Sequence, residues 1–504
     1  MKTKHITLAL LIICGISPLL ADSQINHTTT NLQLFPKVVQ AGSNFLFTWC
    51  DNRPTTSDCE FEIFSTATNS NLSNSGFSDY ELSVPTGGRA GHRLHTEIVP
   101  SIRSITNDTG AIVAWVNHND QKVYTMRITH SGNSDWFNLV QVHDASFMTP
   151  PQMCSDGVGG AYFAWVEKDG DDYDLNVKRI TSSGGEGFSA QTIATSSKPI
   201  TLPRICLANS DTAKVAWVEP DMSVIRRIDT TWKDEDKTVI DKIDTVFGTW
   251  WVKLSGVNSN GDVQDTVDVD STNYLWANPI YSYYWTGLNI ARGDGYTIVA
   301  MRHQYTTFAD PPKYRAYKTE ELYVRRVLDN GSKSSRVTLD YYDYPGDFYE
   351  RPLYTRECFS CRSTPVIAAS SDSGAYLAWE SGSWNDGLGE KSSNSDINVA
   401  KINSSDSVVL NSIISSLGNT SNRAPQIICD GSNALVVWQS MDREGTESEL
   451  HKCKITGTTV GSADTISSDA FSFDLIPAGD TTAVVTWNEQ SGSDWDIYAE
   501  KITY

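Results

Sequence analysis

Between residues 274 and 395 the chain gathers aromatic rings, carboxylates, arginine and asparagine into closely spaced segments. That mixture suits a sugar ring or an extended peptide, because rings cover apolar faces while the polar groups satisfy hydroxyl or amide edges. The candidate ligand-binding residues are His303, Tyr305 and Tyr314 in the run Arg302 to Tyr317, and Tyr341, Tyr342 and Tyr344 in the run Asp340 to Arg351. Trp384 and Asp386 follow in Trp384-Asn385-Asp386-Gly387. The alternative is that these inserts pack on one another and cap the molecule. Glycan hydrolysis would need two convergent carboxylates about 5 to 9.5 Å apart. Asp310, Asp343, Asp347, Glu350 and Asp386 are available for it, but spacing alone assigns no catalytic residue.

Asp169, Asp171 and Asp172 crowd oxygen ligands into one short turn, a possible calcium site, and Asn258 to Asp265 does so less densely. Neither completes a calcium-loop pattern, and polar turns belong at such places anyway. No other cofactor is expected. The cysteines suggest clips: Cys50 and Cys59 flank one loop between neighbouring strands, and Cys358 and Cys361 form a C-x-x-C among aromatic loop residues. Cys154 and Cys206 fall at equivalent places in consecutive repeats, as a bridge or as two buried thiols. Cys429 and Cys453 belong to strands with another strand between them, too far apart for a disulfide.

The elements that must hold these groups come from a repeat. An apolar run ends at Trp49, Trp115, Trp165, Trp217, Met301, Trp379, Trp438 and Trp487. Each is followed by a seven-residue segment of the form acid, aliphatic, aromatic or polar, small, any, base, aliphatic, such as Asp174 to Ile180, Asp396 to Ile402 and Asp496 to Ile502; the copies at Glu62 to Thr68 and Met222 to Ile228 are degenerate. A Pro with an aliphatic close behind, as in Pro151-Gln152-Met153, precedes most anchors. Turn residues separate the runs and no long helical period intervenes, so each unit reads as three or four short strands. Anchor spacings of 49 to 84 residues fit a four-stranded blade with loop insertions.

The expected fold is therefore an all-β propeller of eight four-stranded antiparallel blades, or seven if the Cys-containing first repeat packs elsewhere. The wide gap from Trp217 to Met301 also leaves room for a further degenerate unit around Trp250 to Leu254. A bulky anchor on one sheet face and a small neighbour on the other, such as Ala164 beside Trp165, would let blades interlock. The last copy ends at Tyr504 without an outer strand, which residues 28–34 are expected to supply. Antiparallel alternation places the loop from second to third strand on the same face as the blade-to-blade connections. Counted from anchor to heptad, that loop holds 12, 6, 8, 4, 19, 16, 10 and 8 residues in order. Repeats five and six stand out, with inserts around 274–295, 302–320, 335–363 and 380–395.

Lys2 and Lys4, the apolar run Ile6 to Ile13 and the sequence up to Ala21 read as a secretory signal, residues 1–21, leaving 22–504 as one propeller domain. Export to the periplasm, cell surface or medium follows, and the eight remaining cysteines agree with it. No second apolar stretch is long enough to span a bilayer. A formal net charge of −21 disfavours nucleic acid and anionic membranes as partners. Oligomeric state is not legible.

On these motifs the chain resembles exported bacterial β-propeller proteins whose repeats run from an aliphatic stretch into Trp and then a D-I-Y-V-like strand. The resemblance covers nearly all of residues 22–504; it implies the fold and transfers no catalytic residue. The S-x-D-x-G-x-x-W boxes usual in sialidases are absent, Ser371-Asp372-Ser373-Gly374 failing the spacing to Trp379, and Tyr284-Trp285-Thr286-Gly287 occurs once. The functional expectation is an exported recognition or scaffold protein that binds a glycan or protein ligand on the face of repeats five and six. The alternatives are a glycan-acting hydrolase using carboxylates of the same inserts and a structural envelope or surface-layer component.

Overall fold

The computed structural model describes residues 23–28, 32–52, 60–82, 90–91, 101–104, 110–117, 122–136, 140–143, 151–209, 211–233, 239–277, 287–308, 316–345, 360–385, 392–415, 420–442, 447–479 and 481–504. All regular structure among them is β-strand, and no helix there is long and apolar enough to cross a membrane.

The third repeat shows how one unit forms. Strands Gln152–Ser155, Ala161–Asp169, Asp172–Ile180 and Glu186–Ser196 pair in that order, each antiparallel to the next. Residues 161–166 are apolar without interruption because both faces of the sheet are covered, and all six are buried. The first turn is held by Asp156, whose Oδ1 accepts from the N–H of Val158 at 2.9 Å and of Gly160 at 2.7 Å. The last closes with Thr181 N donating to Gly185 O at 2.8 Å around Gly184, whose φ of 81° suits glycine.

The same up-and-down order recurs along the chain, in sheets opening at Gln33–Ala41, Ser101–Ser104, Thr201–Asn209 and Gly287–Gly293. The sixth and seventh repeats form two such sets of strands, joined by a single parallel bridge from Ser395 to Ser421. Every anchor lies on a second strand and is at most 4 % exposed. Its face packs on the small-residue face of the preceding sheet: Trp165 meets Ala114, Trp217 meets Ala164, Trp379 meets Ala300 and Trp438 meets Ala378. Successive sheets are thus stacked face to face with their first strands side by side, which is propeller architecture. Residues of the first and last sheets share a core of Trp49, Phe47, Val484 and Ile497.

The chain ends meet through residues that lie upstream of the segment 28–34 to which the sequence reading assigns this role. Ser23 and Gln24 pair with Ala499 and Tyr498 on the last strand, whereas Gln33 and Leu34 open the first sheet opposite Asp51 and Cys50. Asn26 explains the choice. Its Nδ2 donates to Asp496 Oδ1 at 2.9 Å and Gln33 Oε1 at 3.1 Å, while its Oδ1 accepts from Ile497 N at 2.8 Å. Ile25 beside it is fully buried.

Three first strands carry a bulge at the residue before proline. Phe35, Leu202 and Ala424 have φ of 58°, 53° and 52° ahead of Pro36, Pro203 and Pro425, a left-handed conformation costly for such residues. The register shift that follows sends Lys37 to Asp474 of the neighbouring sheet at 3.1 Å.

Candidate ligand-binding face

The fourth repeat corrects the sequence reading. Met222 to Ile228 is not a third strand; it continues the Trp217 strand, Thr212–Lys233. The third strand is Val239–Asn258, with Lys253 opposite Trp217. The segment Trp250 to Leu254 is therefore part of this unit and not an extra repeat. The two arms pair far beyond the sheet, through register shifts between Asp221 and Arg226 and between Thr231 and Lys233.

Three consecutive units consequently carry long second-to-third hairpins. Their arms are 22 and 20 residues in the fourth, 13 and 13 in the fifth, and 11 and 11 in the sixth. In the third unit both arms are 9. At about 3.3 Å per residue the fourth hairpin outreaches the third by several tens of ångströms. The outer strand Val267–Ala277 follows it up, pairing as far as Thr245 with Ala277.

On the fifth sheet, His303, Glu321 and Tyr341 form one row across three strands. Tyr342 shares the adjacent row with Gln304 and Glu320, Tyr344 pairs with Lys318, and Tyr305 pairs with Thr319. Trp384 lies on the sixth hairpin opposite Ser393. One sector thus holds all of these positions. Tyr314 and Asp386 lie outside the described residues, as do Asp310, Asp347 and Glu350. Tyr341 is 54 % exposed, whereas His303 is buried. Burial, with the Arg336 charge, lowers the His303 pKa to about 4 against the opposing pull of Asp270. Asp270 is itself held by Arg325 at 3.1 Å and Arg336 at 3.0 Å.

At the foot of these hairpins stand charged groups that the sequence reading did not single out as a site. Arg302 donates through Nε to Glu320 Oε1 at 3.1 Å and also through Nη2, and Glu320 is 1 % exposed. Glu380 receives hydrogen bonds from the Ala424 N–H and Ser395 and feels Arg423 and Arg302, yet burial dominates and raises its pKa. The signal was present in the chain. The residue after the anchor is Cys50, Val116, Val166 and Val218 in the first four repeats, then Arg302, Glu380, Gln439 and Asn488 in the last four. Gln439 and Asn488 are buried; Gln439 Nε2 donates across the seam to Phe471 O at 2.7 Å, and Asn488 Oδ1 accepts from Ser472 N of its own sheet at 3.1 Å.

The remaining candidates sit elsewhere. Asp169 and Asp172 close a tight hairpin opposite each other, with Gly170 and Asp171 at its exposed tip. Among the described residues no three His, Cys, Asp or Glu side chains converge to hold a metal. Asn258 to Asp262 is one of the third-to-fourth-strand turns, its Asn258 Oδ1 accepting from Asp262 N at 2.9 Å. Cys50 is a free thiol here, pushed up to about 12 by burial and then by Asp51; Cys59 and Cys358 lie outside the described residues. Cys361 lies on the short strand Ser360–Arg362, with Gly382 opposite. No disulfide joins Cys154 to Cys206 among the described residues. Cys429 and Cys453 are free as well, on strands with the Trp438 strand between them, as expected.

No protein-family model and no curated protein sequence matches this chain. Among solved structures, it is similar to a polysaccharide lyase at TM-score 0.45 and 8 % identity, covering 97 % of this chain and 94 % of that one. It is similar to the β-propeller domain of the trilobed protease of Pyrococcus furiosus at TM-score 0.37 and 9 % identity, covering 82 % and 96 %. An alpha-L-arabinofuranosidase of Fusarium graminearum gives TM-score 0.34 and 9 % identity, covering 96 % and 97 %.

Proposed function

We propose that the eight units close into one ring through Ser23 and Gln24, and that the chain is a recognition propeller. Its ligand, a glycan or a protein segment, sits against the projecting hairpins of units four to six. The observation that carries this reading is the adjacency of the three hairpins. Extra length scattered around a ring would be idle surface, but three neighbours make a wall above one sector, and long ordered loops in compact domains are disproportionately functional. Tyr342, Tyr344 and Trp384 would supply ring faces, and Arg302, Glu380 and Arg423 the polar contacts at the foot. A combined Y342A/Y344A/W384A variant should keep its thermal midpoint and lose at least about tenfold in affinity for a ligand found on a glycan or protein array, the scale expected for removing aromatic anchors. Undiminished affinity for that ligand would remove the site from this sector.

The unlike settings of Glu320 and Glu380 favour hydrolysis as the second reading. One carboxylate is held by an arginine and the other is pushed toward its protonated form by burial, the division of labour an acid and a base need. On that reading E380Q abolishes turnover of a responsive polysaccharide and spares binding; an E380Q protein as active as the parent would exclude it.

A further inference from the structure

One position recurs along the inner edge of the stacked sheets, where the first strands lie side by side. It is the first-strand residue that pairs with the small residue before each anchor, as Gln152 pairs with Ala164 and Arg204 with Ala216. In three seams its side chain ties the chain entering the next sheet. Asp474 Oδ2 accepts from Val38 N at 3.1 Å, Gln426 Oε1 accepts from Leu475 N at 3.0 Å, and Asn289 Nδ2 donates to Pro365 O at 3.3 Å. Lys37, at the same position in the first sheet, neutralises Asp474 at 3.1 Å. The other two members, Ser101 and Val366, carry no charge. Two bases, Lys37 and Arg204, therefore stand against one acid, and the surplus positive charge is that of Arg204, in a chain of formal charge −21.

Arg204 does not tie the next sheet. Its Nη1 donates to Pro203 O of its own strand at 2.9 Å, and no carboxylate pairs with it among the described residues. Nε and Nη2 are left without a partner there and, unlike the Nε of Arg423, are not shut away from solvent. These two donors form one edge of the guanidinium, the fork that takes a carboxylate side-on. The same edge is filled elsewhere in this chain: Arg179 holds Asp156 through Nε at 2.9 Å and Nη2 at 2.7 Å, and Arg336 holds Asp270 at 3.3 and 3.0 Å. On Arg204 it is open. Burial lowers the Arg204 pKa from its ordinary value, a penalty on the charge that a bound anion would offset. The bulge at Leu202, with φ of 53°, comes directly before Arg204 and sets its aim. Its partner Ala216 belongs to the arm Thr212–Lys233, so the open edge stands at the foot of the longest hairpin.

We infer that Arg204 seats a carboxylate of the ligand that the hairpin wall flanks, side-on through Nε and Nη2, so that this ligand is acidic. The inference rests on the face proposed above and makes its ligand specific. Arginine side-chain NMR of the full chain, titrated with sodium acetate, reads the seat without any other ligand. The Nε–H resonance that is missing from R204K shifts saturably with acetate and not with sodium chloride at equal ionic strength. On the array the parent retains an acidic ligand; esterifying its carboxylate weakens binding by about tenfold or more, R204M does the same, and R204K, which keeps the charge and loses the fork, recovers part of it. An Arg204 resonance that acetate leaves in place, or that chloride moves equally, overturns the inference. So does a neutral ligand, or an acidic one that R204M binds as tightly as the parent. Ligand lost by Y342A/Y344A/W384A and kept by R204M would sink the seat and keep the face; the reverse would remove the wall and keep the seat.

Discussion

Single side chains do two kinds of work in this repeat, and the anchor position shows both. The indole of Trp49, Trp165, Trp217 and Trp487 donates to an acid two residues later, Asp51, Glu167, Glu219 and Glu489, at 2.9 to 3.3 Å. Residues two apart on a strand share a face, so the pair satisfies the ring N–H at a buried seam. Where the acid is missing, a neighbour substitutes: Asp340 bonds Trp379 at 3.3 Å and Asn422 bonds Trp438 at 3.1 Å. Met301 needs no partner, and His303 takes the acid's place. That histidine makes a stability switch with a definite sign. Its pKa is about 4 folded against 6.5 for the ordinary side chain, so above pH 6.5 both states are neutral and its environment costs nothing. As pH falls from 6.5 to 4 only the unfolded chain takes the proton, and stability falls by on the order of 3 kcal/mol. Unfolding free energies from urea titrations at pH 7 and pH 4 should differ less for H303Q than for the parent by about that amount; equal pH dependence would show that His303 is not held neutral.

At the level of elements, the heptad's base explains itself only in three dimensions. Arg179 reaches the turn acid Asp156 at 2.7 Å, Lys401 reaches Asp372 at 2.9 Å, and Arg326 reaches Asp406 at 2.9 Å. Tyrosines then stitch seams at that end, Tyr162 to Asp211 O at 3.2 Å and Tyr296 to Gly374 O at 3.1 Å. Strand identity was legible wherever apolar runs and turn residues alternated, hence the correct third strands in most repeats. It failed in the fourth, where Met222 to Ile228 imitates the heptad but pairs within a longer hairpin, because register depends on the partner strand and not on the segment. It slipped at the N-terminus for a related reason: a two-residue strand carries no periodicity, and only the contacts of Asn26 and Ile25 locate it. Removing residues up to Thr28 should strip the last sheet of its outer strand and lower the thermal midpoint by several degrees, with N26A moving it the same way by less. A truncated chain as stable as the parent would argue that the terminal pairing contributes nothing.

For the whole molecule, the anchors predicted how sheets stack because one large and one small face are enough to define a seam. They did not predict where the molecule becomes asymmetric. After the anchor the first four repeats place apolar or Cys residues and the last four place polar ones, and the long hairpins rise where the two halves meet, over units four to six. The aromatic inserts were readable as composition. Their division between rows of one sheet was not, since His303 and Tyr341 share a row that excludes Tyr342. The direct test of a recognition face on this sector is array binding by the parent chain beside a variant in which residues 222–247 are replaced by a two-residue Asn-Gly turn. The predicted result is a ligand retained by the parent and lost by the pruned variant, with both proteins melting cooperatively at similar temperature. Equal retention of the ligand by both proteins would contradict the account.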